Sequence, residues 1–307
     1  MANILLGKDV VEAMKPQLLE DVEKLLANGC VPCVTVVKVG SKEDDTSYVN
    51  AIISNAEKIG VEVRYRSYPE GIKHNDLVGA ILACNIDPTT HGILLLSPLP
   101  SYLDEDVVRN SIAPSKDIDG ITDAAMANLY SFRDAEHGEK GFAPCTAEAV
   151  IDAIDYIGED LDGKNVVVIG RSTIIGKPVA LLFLERNATV TICHTGTINL
   201  QSITKRADIV VVAAGVGQGG RKARLGAEYF SEGQIIIDVG VNVDDDGLYG
   251  DVDTDAVIDF ARIITPVPGG LGQITTYTLL RHVIAAAKFA KSIPQSIKER
   301  WMDTTFE

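Results

Sequence analysis

Asn165–Pro178 reads N-V-V-V-I-G-R-S-T-I-I-G-K-P. Asn165–Ile169 reads as a strand, its Val166 to Ile169 a short continuous apolar run of the kind buried on both faces. Gly170 interrupts it, and Gly176 and Pro178 open a helical segment, expected over Pro178–Glu185. A strand that turns tightly into a helix leaves backbone N–H groups and the positive helix end aimed at one spot, which suits a phosphate. Gly170 permits the tight turn and Gly176 permits close packing of helix on strand. The spacing departs from G-x-G-x-x-G: Ser172 takes the second glycine position and the last glycine comes one residue late. Taken alone, the turn also fits an ordinary strand-to-helix connection.

The next strand, Thr189–Cys193, bears on which dinucleotide such a turn would hold. Sites for NAD commonly place Asp or Glu at this strand end, on the ribose 2′-hydroxyl. Here the run is Cys193-His194-Thr195-Gly196-Thr197, without an acid. Arg171 lies in the preceding turn, where a guanidinium can pair with a 2′-phosphate. The expectation is NADP in preference to NAD. A solvated Arg171 and a packed strand-end His194 are the plainer alternatives.

Outward from this unit the chain alternates helix and strand, which implies an α/β fold with largely parallel sheets. On the N-terminal side the pattern predicts helices over Val10–Ala27, Ser47–Ile59, Asp76–Cys84 and Asp104–Asn110. Strands are expected at Val34–Val39, Val61–Tyr65 and His91–Leu96. Lys116–Gly141 lacks strong periodicity and reads as a crossover between domains. Beyond it come a helix at Ala147–Ile157, another at Leu200–Arg206, and strands at Ile209–Ala213, Ile235–Val239 and Ile263–Ile264. A long helix is expected from Thr275 to Ala290, then a polar tail from about Pro294.

The composition is that of a soluble globular protein, 46% hydrophobic and 23% charged over 307 residues. The formal net charge of −15 weighs against nucleic acid and anionic membranes as partners. The N-terminus has no basic region followed by an apolar core, so a cytoplasmic location is expected. Five widely spaced cysteines fit a reducing compartment. Cys30 and Cys33 form C-V-P-C, but with a helix before and a strand after, the reverse of a thioredoxin-type order. Asn242–Asp253 nearly fits a calcium loop, yet its twelfth position is Asp253 and its flanks read as strands; a hairpin at Asp246-Gly247 accounts for it better, and no metal is expected.

Six ordered motifs together identify a family. They are V-G-S-x(5)-S-Y-V at Val39–Val49, P-L-P at 98–100, K-D-I-D-G at 116–120, P-C-T at 144–146, G-R-S-x-I-x-G-x-P at 170–178, and T-P-V-P-G-G-L-G at 265–272. The chain resembles the methylenetetrahydrofolate dehydrogenase/cyclohydrolase (FolD) family along nearly its whole length. The resemblance implies an N-terminal α/β substrate and catalytic domain over 1–143 and a Rossmann-type NAD(P)-binding domain over 144–274. It further implies a last helix in 275–307 that returns to the first domain, an active site in the cleft between the domains, tetrahydrofolate one-carbon derivatives as substrates, and a homodimer.

Roles carry over where residues match. The resemblance gives Tyr48 as the active-site tyrosine over the folate rings and Asp119 as the carboxylate that binds the pterin's N–H groups, a task for which two acceptor oxygens suit two parallel donors. Gly170, Arg171, Ser172, Ile174, Gly176, Thr195 and Gly215 match cofactor contacts, and Val241 a position near the nicotinamide. Pro266, Gly269 and Gly270 match the turn beside the substrate.

The match fails at the proton-transfer apparatus. The family's bifunctional members carry a lysine four residues after the tyrosine; here that position is Ile52. Residues i and i+4 share a helix face, so Ile52 is expected beside Tyr48 in the substrate site. Leu96 occupies the position of the glutamine that tunes that lysine, and Gln273-Ile274 replaces a Pro-Met pair. Hydride transfer depends chiefly on aligning two carbons. Adding water and opening the ring needs proton transfers, each worth ~10²–10⁴-fold. The expectation is therefore a dehydrogenase with weak or absent cyclohydrolase activity. Asn55 on the same helical face and Ser97 beside Leu96 are the weighed substitutes; Lys58 is expected to face elsewhere. A full bifunctional enzyme with rearranged acid–base residues, a silent folate- or dinucleotide-binding homologue, and an oxidoreductase for another substrate are the competing readings.

Overall fold

A computed structural model describes residues 3–40, 44–131, 141–215, 224–244 and 247–292, with residues 44–48 described by their backbone alone. In chain order the first elements are β1 (Asn3–Ile4), α1 (Gly7–Ala27), β2 (Cys33–Val39), α2 (Asp44–Ile59), β3 (Glu62–Tyr68) and α3 (His74–Ile86). Then come β4 (Gly92–Leu95), α4 (Glu105–Asn110), α5 (Asp123–Tyr130), α6 (Cys145–Ile157), β5 (Asn165–Ile169) and α7 (Gly176–Glu185). β6 (Thr189–Cys193), α8 (Leu200–Thr204), β7 (Ile209–Val212), β8 (Ile235–Asp238), β9 (Asn242–Asp244) and β10 (Gly247–Tyr249) follow. The last are α9 (Thr254–Val257), β11 (Ile263–Ile264) and α10 (Leu271–Ser292).

The chain divides into two compact units, one of Lys15–Phe142 with Leu279–Glu307, the other of Met1–Met14 with Ala143–Thr278. The first holds a parallel sheet in the order β3-β2-β4. Every residue of β2 is buried, as expected for the middle strand of a covered sheet. The chain steps from β2 to β3 in one direction and from β3 back past β2 to β4 in the other. Right-handed crossovers then set α2 and α3 on opposite faces. Val37, Val39 and Leu95 pack with Leu77, Ile81 and Cys84 of α3 and Val108 of α4. The alternate residues Val34, Val36 and Leu94, also buried, face the α2 side. Helix α2 buries Val49, Ile52, Ala56 and Ile59, a single stripe at helical spacing.

The second unit holds a six-stranded parallel sheet in the order β1-β11-β8-β7-β5-β6. Alternation along β5 sends Val166 and Val168 to the face covered by α6 and α7, and Val167 and Ile169 to the face covered by α8 and α9. From β5 the chain moves outward to β6 at the edge, then crosses back to β7 on the other side of β5. The strand order thus reverses between β5 and β7, the place where open α/β sheets bind ligands.

The α/β class and the Rossmann-type second unit agree with the sequence reading, and β5, β6 and β11 have the predicted bounds. Most other bounds move by one to three residues, and three further differences bear on the architecture. Asn3 and Ile4 pair with Ile263 and Ile264, so the chain's beginning belongs to the second unit's sheet rather than to a domain starting at residue 1. Helix α10 starts at Leu271, four residues before the expected Thr275, and its last turns count with the first unit. Within the crossover Lys116–Gly141, Thr122 caps α5 by accepting from Ala125 N–H at 3.2 Å. The hairpin of β9 and β10 pairs Asp244 with Gly247 as read; its tip at 245–246 lies outside the described residues.

Candidate active site

In the second unit the singled-out residues gather at the C-terminal edges of the parallel strands. Gly170 follows β5, Thr195 follows β6, Gly215 follows β7 and Val241 follows β8. At the reversal point the backbones approach so closely that side chains are excluded. A Cβ on Gly170, whose φ is +132°, would lie 2.2 Å from Ala213 O. One on Gly176 would lie 2.4 Å from Gly170 O. The glycine spacing is therefore demanded by the contact of turn, strand and helix. Ser172 Oγ accepts from Ile175 N–H (3.1 Å) and Gly176 N–H (3.3 Å), taking the first donors of α7. A phosphate oxygen that displaced this hydroxyl would meet the same donors, so the turn fits a dinucleotide.

Arg171, Ile174 and Thr195 are exposed around this turn, and Val241 is 70% exposed. His194 is folded into its own loop: its Nδ1 accepts from Gly196 N–H at 3.1 Å, while Thr197 Oγ1 accepts from His194 N–H at 2.8 Å. That loop presents no carboxylate.

Two acids not singled out from the sequence shape this edge. Asp251 Oδ2 accepts from Ala214 N–H (2.7 Å) and Gly215 N–H (2.8 Å), fixing the turn after β7. Asp238, at the end of β8, accepts from Gly240, Asp251 and Val252 N–H groups at 2.9, 3.0 and 2.9 Å. Burial pushes the Asp238 carboxyl up to about 6, against the pull of those three bonds. No local motif marks either acid. The sequence signal is a carboxylate ending an otherwise apolar strand, I-I-I-D-V-G.

After β11, Pro266–Gly270 folds into a turn whose tightness again comes from glycine. A Cβ on Gly270 would lie 2.4 Å from Pro266 O, and one on Gly7 would lie 2.1 Å from Gly270 O. Gly7 N–H donates to Gly269 O at 2.8 Å, so the start of α1 holds this turn in place.

In the first unit, Lys116–Gly120 divides its labour residue by residue. Lys116 Nζ donates to Cys84 O (2.9 Å) and Asp87 O (2.7 Å), closing the end of α3; burial draws its pKa down to about 8. Asp117 is fully buried and accepts from Ile121 N–H (3.2 Å) and Thr122 N–H (2.8 Å), while its backbone bridges Ile93 of β4. Ile118 fills the space over Gly92, where a Cβ would lie 2.7 Å from its Cγ2. Ile118 O lies 2.8 Å from His282 Nδ1 of α10, and that ring stacks on Phe142 at 4.6 Å. The neighbours of Asp119 are thus locked, and Asp119, half-buried, stands two residues past the Ile93 bridge, level with Leu95 at the strand ends.

Ile52 is fully buried and Leu96 nearly so, at 0% and 8% exposure. Tyr48 belongs to α2, and its side chain lies outside the described residues. Asn55, a weighed substitute for the missing lysine, accepts from Lys58 Nζ at 3.2 Å on the exposed side of α2. Ser97 is exposed. Neither the spacing nor the motifs pointed to Lys38, the last but one residue of β2, at 4% exposure. The available signal was a cation inside the apolar run V-T-V-V-K-V. Cys30 and Cys33 are both buried; Cys30 Sγ lies 3.5 Å from His91 Nε2, and burial pushes the Cys33 thiol up to about 11, away from thiolate chemistry. Among the described residues no helix is long and apolar enough to cross a membrane.

Comparison with known proteins also finds two parts. Residues 5–119 match the tetrahydrofolate dehydrogenase/cyclohydrolase catalytic domain, and residues 144–291 match the NAD(P)-binding domain of the same proteins. The chain is 40% identical over 294 residues to a bifunctional protein FolD of Alkaliphilus oremlandii, covering 95% of this chain and 100% of that one. It is similar in structure to the FolD methylenetetrahydrofolate dehydrogenase/cyclohydrolase of Campylobacter jejuni, with a TM-score of 0.87, 34% identity, and 94% and 99% of the two chains covered. The Trypanosoma brucei enzyme, solved with NADP and an inhibitor, superposes with a TM-score of 0.85 at 31% identity, covering 95% and 99%.

Proposed function

The chain belongs to the tetrahydrofolate dehydrogenase/cyclohydrolase family, and from that premise we propose that it oxidises 5,10-methylenetetrahydrofolate to the 5,10-methenyl form, with NADP preferred over NAD. The observation that carries the reading is the turn from Gly170 to Gly176, where close backbone approach excludes side chains and donors converge at the start of α7.

Gly170, Ser172, Ile174, Gly176, Thr195 and Gly215 hold the dinucleotide, and Val241 lies against its nicotinamide. When bound, the dinucleotide supplies the hydride acceptor. Arg171 reads the 2′-phosphate: it is exposed beside the turn, and the loop after β6 offers no acid to a 2′-hydroxyl. Asp119 anchors the pterin through its two acceptor oxygens, with Asp117 and His282 bracing the backbone on either side. Tyr48 covers the folate rings, and Pro266, Gly269 and Gly270 line the substrate. Ile52 and Leu96 leave this wall of the site without a polar group to activate water, which favours hydride transfer over hydrolysis.

Hydrolysis of the methenyl product is weak in this reading, because neither buried side chain, Ile52 or Leu96, moves a proton. The relatives carry bifunctional names, so this is where the chain is read as departing from them. The enzyme acts as a homodimer in the cytoplasm.

A paired assay tests the proposal. Purified protein with methylenetetrahydrofolate and NADP, or NAD, is expected to form the methenyl compound, faster with NADP. Supplied with the methenyl compound, it is expected to speed hydrolysis only slightly above the spontaneous rate. Equal, fast rates for both steps would overturn the reading of residues 52 and 96. Faster turnover with NAD would overturn the role of Arg171.

A further inference from the structure

We propose that Lys38 is a proton-carrying residue of the folate site, and that the enzyme's hydrolysis of the methenyl product passes through its side-chain nitrogen. The inference rests on the function proposed above and adds a residue to it.

Lys38 is the last but one residue of β2, the middle strand of its sheet, and is 4% exposed. A lysine is almost never buried this far unless its nitrogen is held by other groups, so the side chain is fixed in place rather than free in solvent. Its direction follows from the register. Val37 pairs with Leu95, and Leu96 N–H donates to Val37 O at 3.0 Å, continuing the ladder by one residue. Lys38 and Leu96 are therefore neighbours on adjacent strands, about 4.8 Å apart. Val37 and Leu95 point toward α3. Lys38 and Leu96 consequently point to the opposite face, the one α2 covers.

The level along the sheet also agrees. Helix α2 runs back antiparallel to the strands, so its first turns lie over the strand ends and its last over their beginnings. Just past α2, Glu62 N–H donates to Pro32 O at 2.8 Å, so the helix ends at the beginning of β2. Ile52 precedes Ile59 on the buried stripe by two turns, about 10 Å. That places it over the strand ends, with Lys38 and Leu96 below. Asp119 joins them from the segment that bridges β4. Ile52, Leu96, Lys38 and Asp119 thus share one end of one sheet.

The chemistry needs one group that moves protons. Water forms a C–O bond to the methenyl carbon and gives up a proton to the lysine nitrogen, which enters this step as the uncharged amine and becomes the ammonium. The C–N bond to the ring nitrogen then breaks, and that nitrogen takes the proton from the ammonium. The remaining hydroxyl proton passes to solvent as the formyl C=O forms. The sum is one water consumed and one proton released, with no change of oxidation state. Leu96 itself offers no polar atom to this nitrogen, so the step is expected to be slow.

The test uses the full chain and reads the ratio of enzyme-dependent hydrolysis, with the rate in buffer subtracted, to NADP-dependent oxidation. Lys38→Met, close in shape and free of charge, is expected to lower that ratio about tenfold or more. In Lys38→Ala, added ethylamine is expected to restore hydrolysis in proportion to its concentration. An unchanged ratio in Lys38→Met, or hydrolysis by the unaltered protein no faster than in buffer, would overturn the inference. Should Lys38→Met lose oxidation as well, the ethylamine series decides: recovery supports the role and no recovery overturns it. Absence of oxidation in the unaltered protein would instead strike the function proposed above.

Discussion

The two units present their singled-out residues on the same architectural feature, the C-terminal edge of a parallel sheet, but they build on it from different materials. At the edge of β5 and β7 the backbone does the work: glycines at 170 and 176, N–H groups of 175 and 176, and a loop at 214–215 held by Asp251. At the edge of β2 and β4 the residues of the proposed folate site are side chains: Ile52, Leu96, Lys38 and Asp119. A backbone-made site tolerates almost no change, because each glycine answers a contact shorter than a Cβ allows. A side-chain site can keep its frame while its chemistry is exchanged.

The sharpest way to break this contrast is Gly170→Ala. A methyl group 2.2 Å from Ala213 O, at a positive φ, should cost about 3 kcal/mol or more. The loss in kcat/KM for the dinucleotide should be at least ~100-fold. Near-normal kinetics would show that the turn has room and that its glycines are not required. The converse change, Ile52→Lys, keeps the frame and should raise methenyl hydrolysis by about 10²-fold. No gain in that assay would mean the side chain at 52 does not face the reacting carbon. Arg171→Ala should lower kcat/KM for NADP about tenfold while leaving that for NAD within about twofold; parallel losses would remove its specificity role.

The smallest effect concerns Asp238, whose carboxyl is pushed up to about 6 from an ordinary value of 3.8. The folded protein holds this proton more tightly than the unfolded chain. Its contribution to stability is therefore full below the ordinary value and is lost as pH rises through 6. The urea midpoint of the protein relative to Asp238→Asn should be more favourable at pH 5 than at pH 7.5. A difference independent of pH would show that Asp238 is ionised throughout.

The same contrast governs how much the sequence disclosed. Glycines forced by close approach leave a periodic, readable trace, and β5 and β6 were bounded to the residue. β1 is two residues long, too short to carry a period. Helix α5 is eight residues capped by Thr122 in a stretch whose apolar spacing is weak. Asp238 and Asp251 serve backbone N–H groups that come together only in the folded sheet, so nothing adjacent in sequence announces them. In K-D-I-D-G the motif located Asp119 but not the separate jobs of its neighbours, which depend on Asp87, Gly92 and His282, all distant in sequence. Lys38 was legible as a strand residue; its direction depends on the register with β4.

The pairing of Asn3 and Ile4 with Ile263 and Ile264 has a practical consequence for anyone who would take the molecule apart. The dinucleotide unit is not a contiguous stretch of chain. Cut out as residues 143–278, it would lose its outermost strand and the Gly7 N–H that braces the turn at Gly269. The row of peptide groups on β11 would be left open to any passing strand, the edge from which sheets stick to one another. A soluble half-protein would therefore need the first fourteen residues stitched back beside β11, for example by a circular permutation that carries them to the far end.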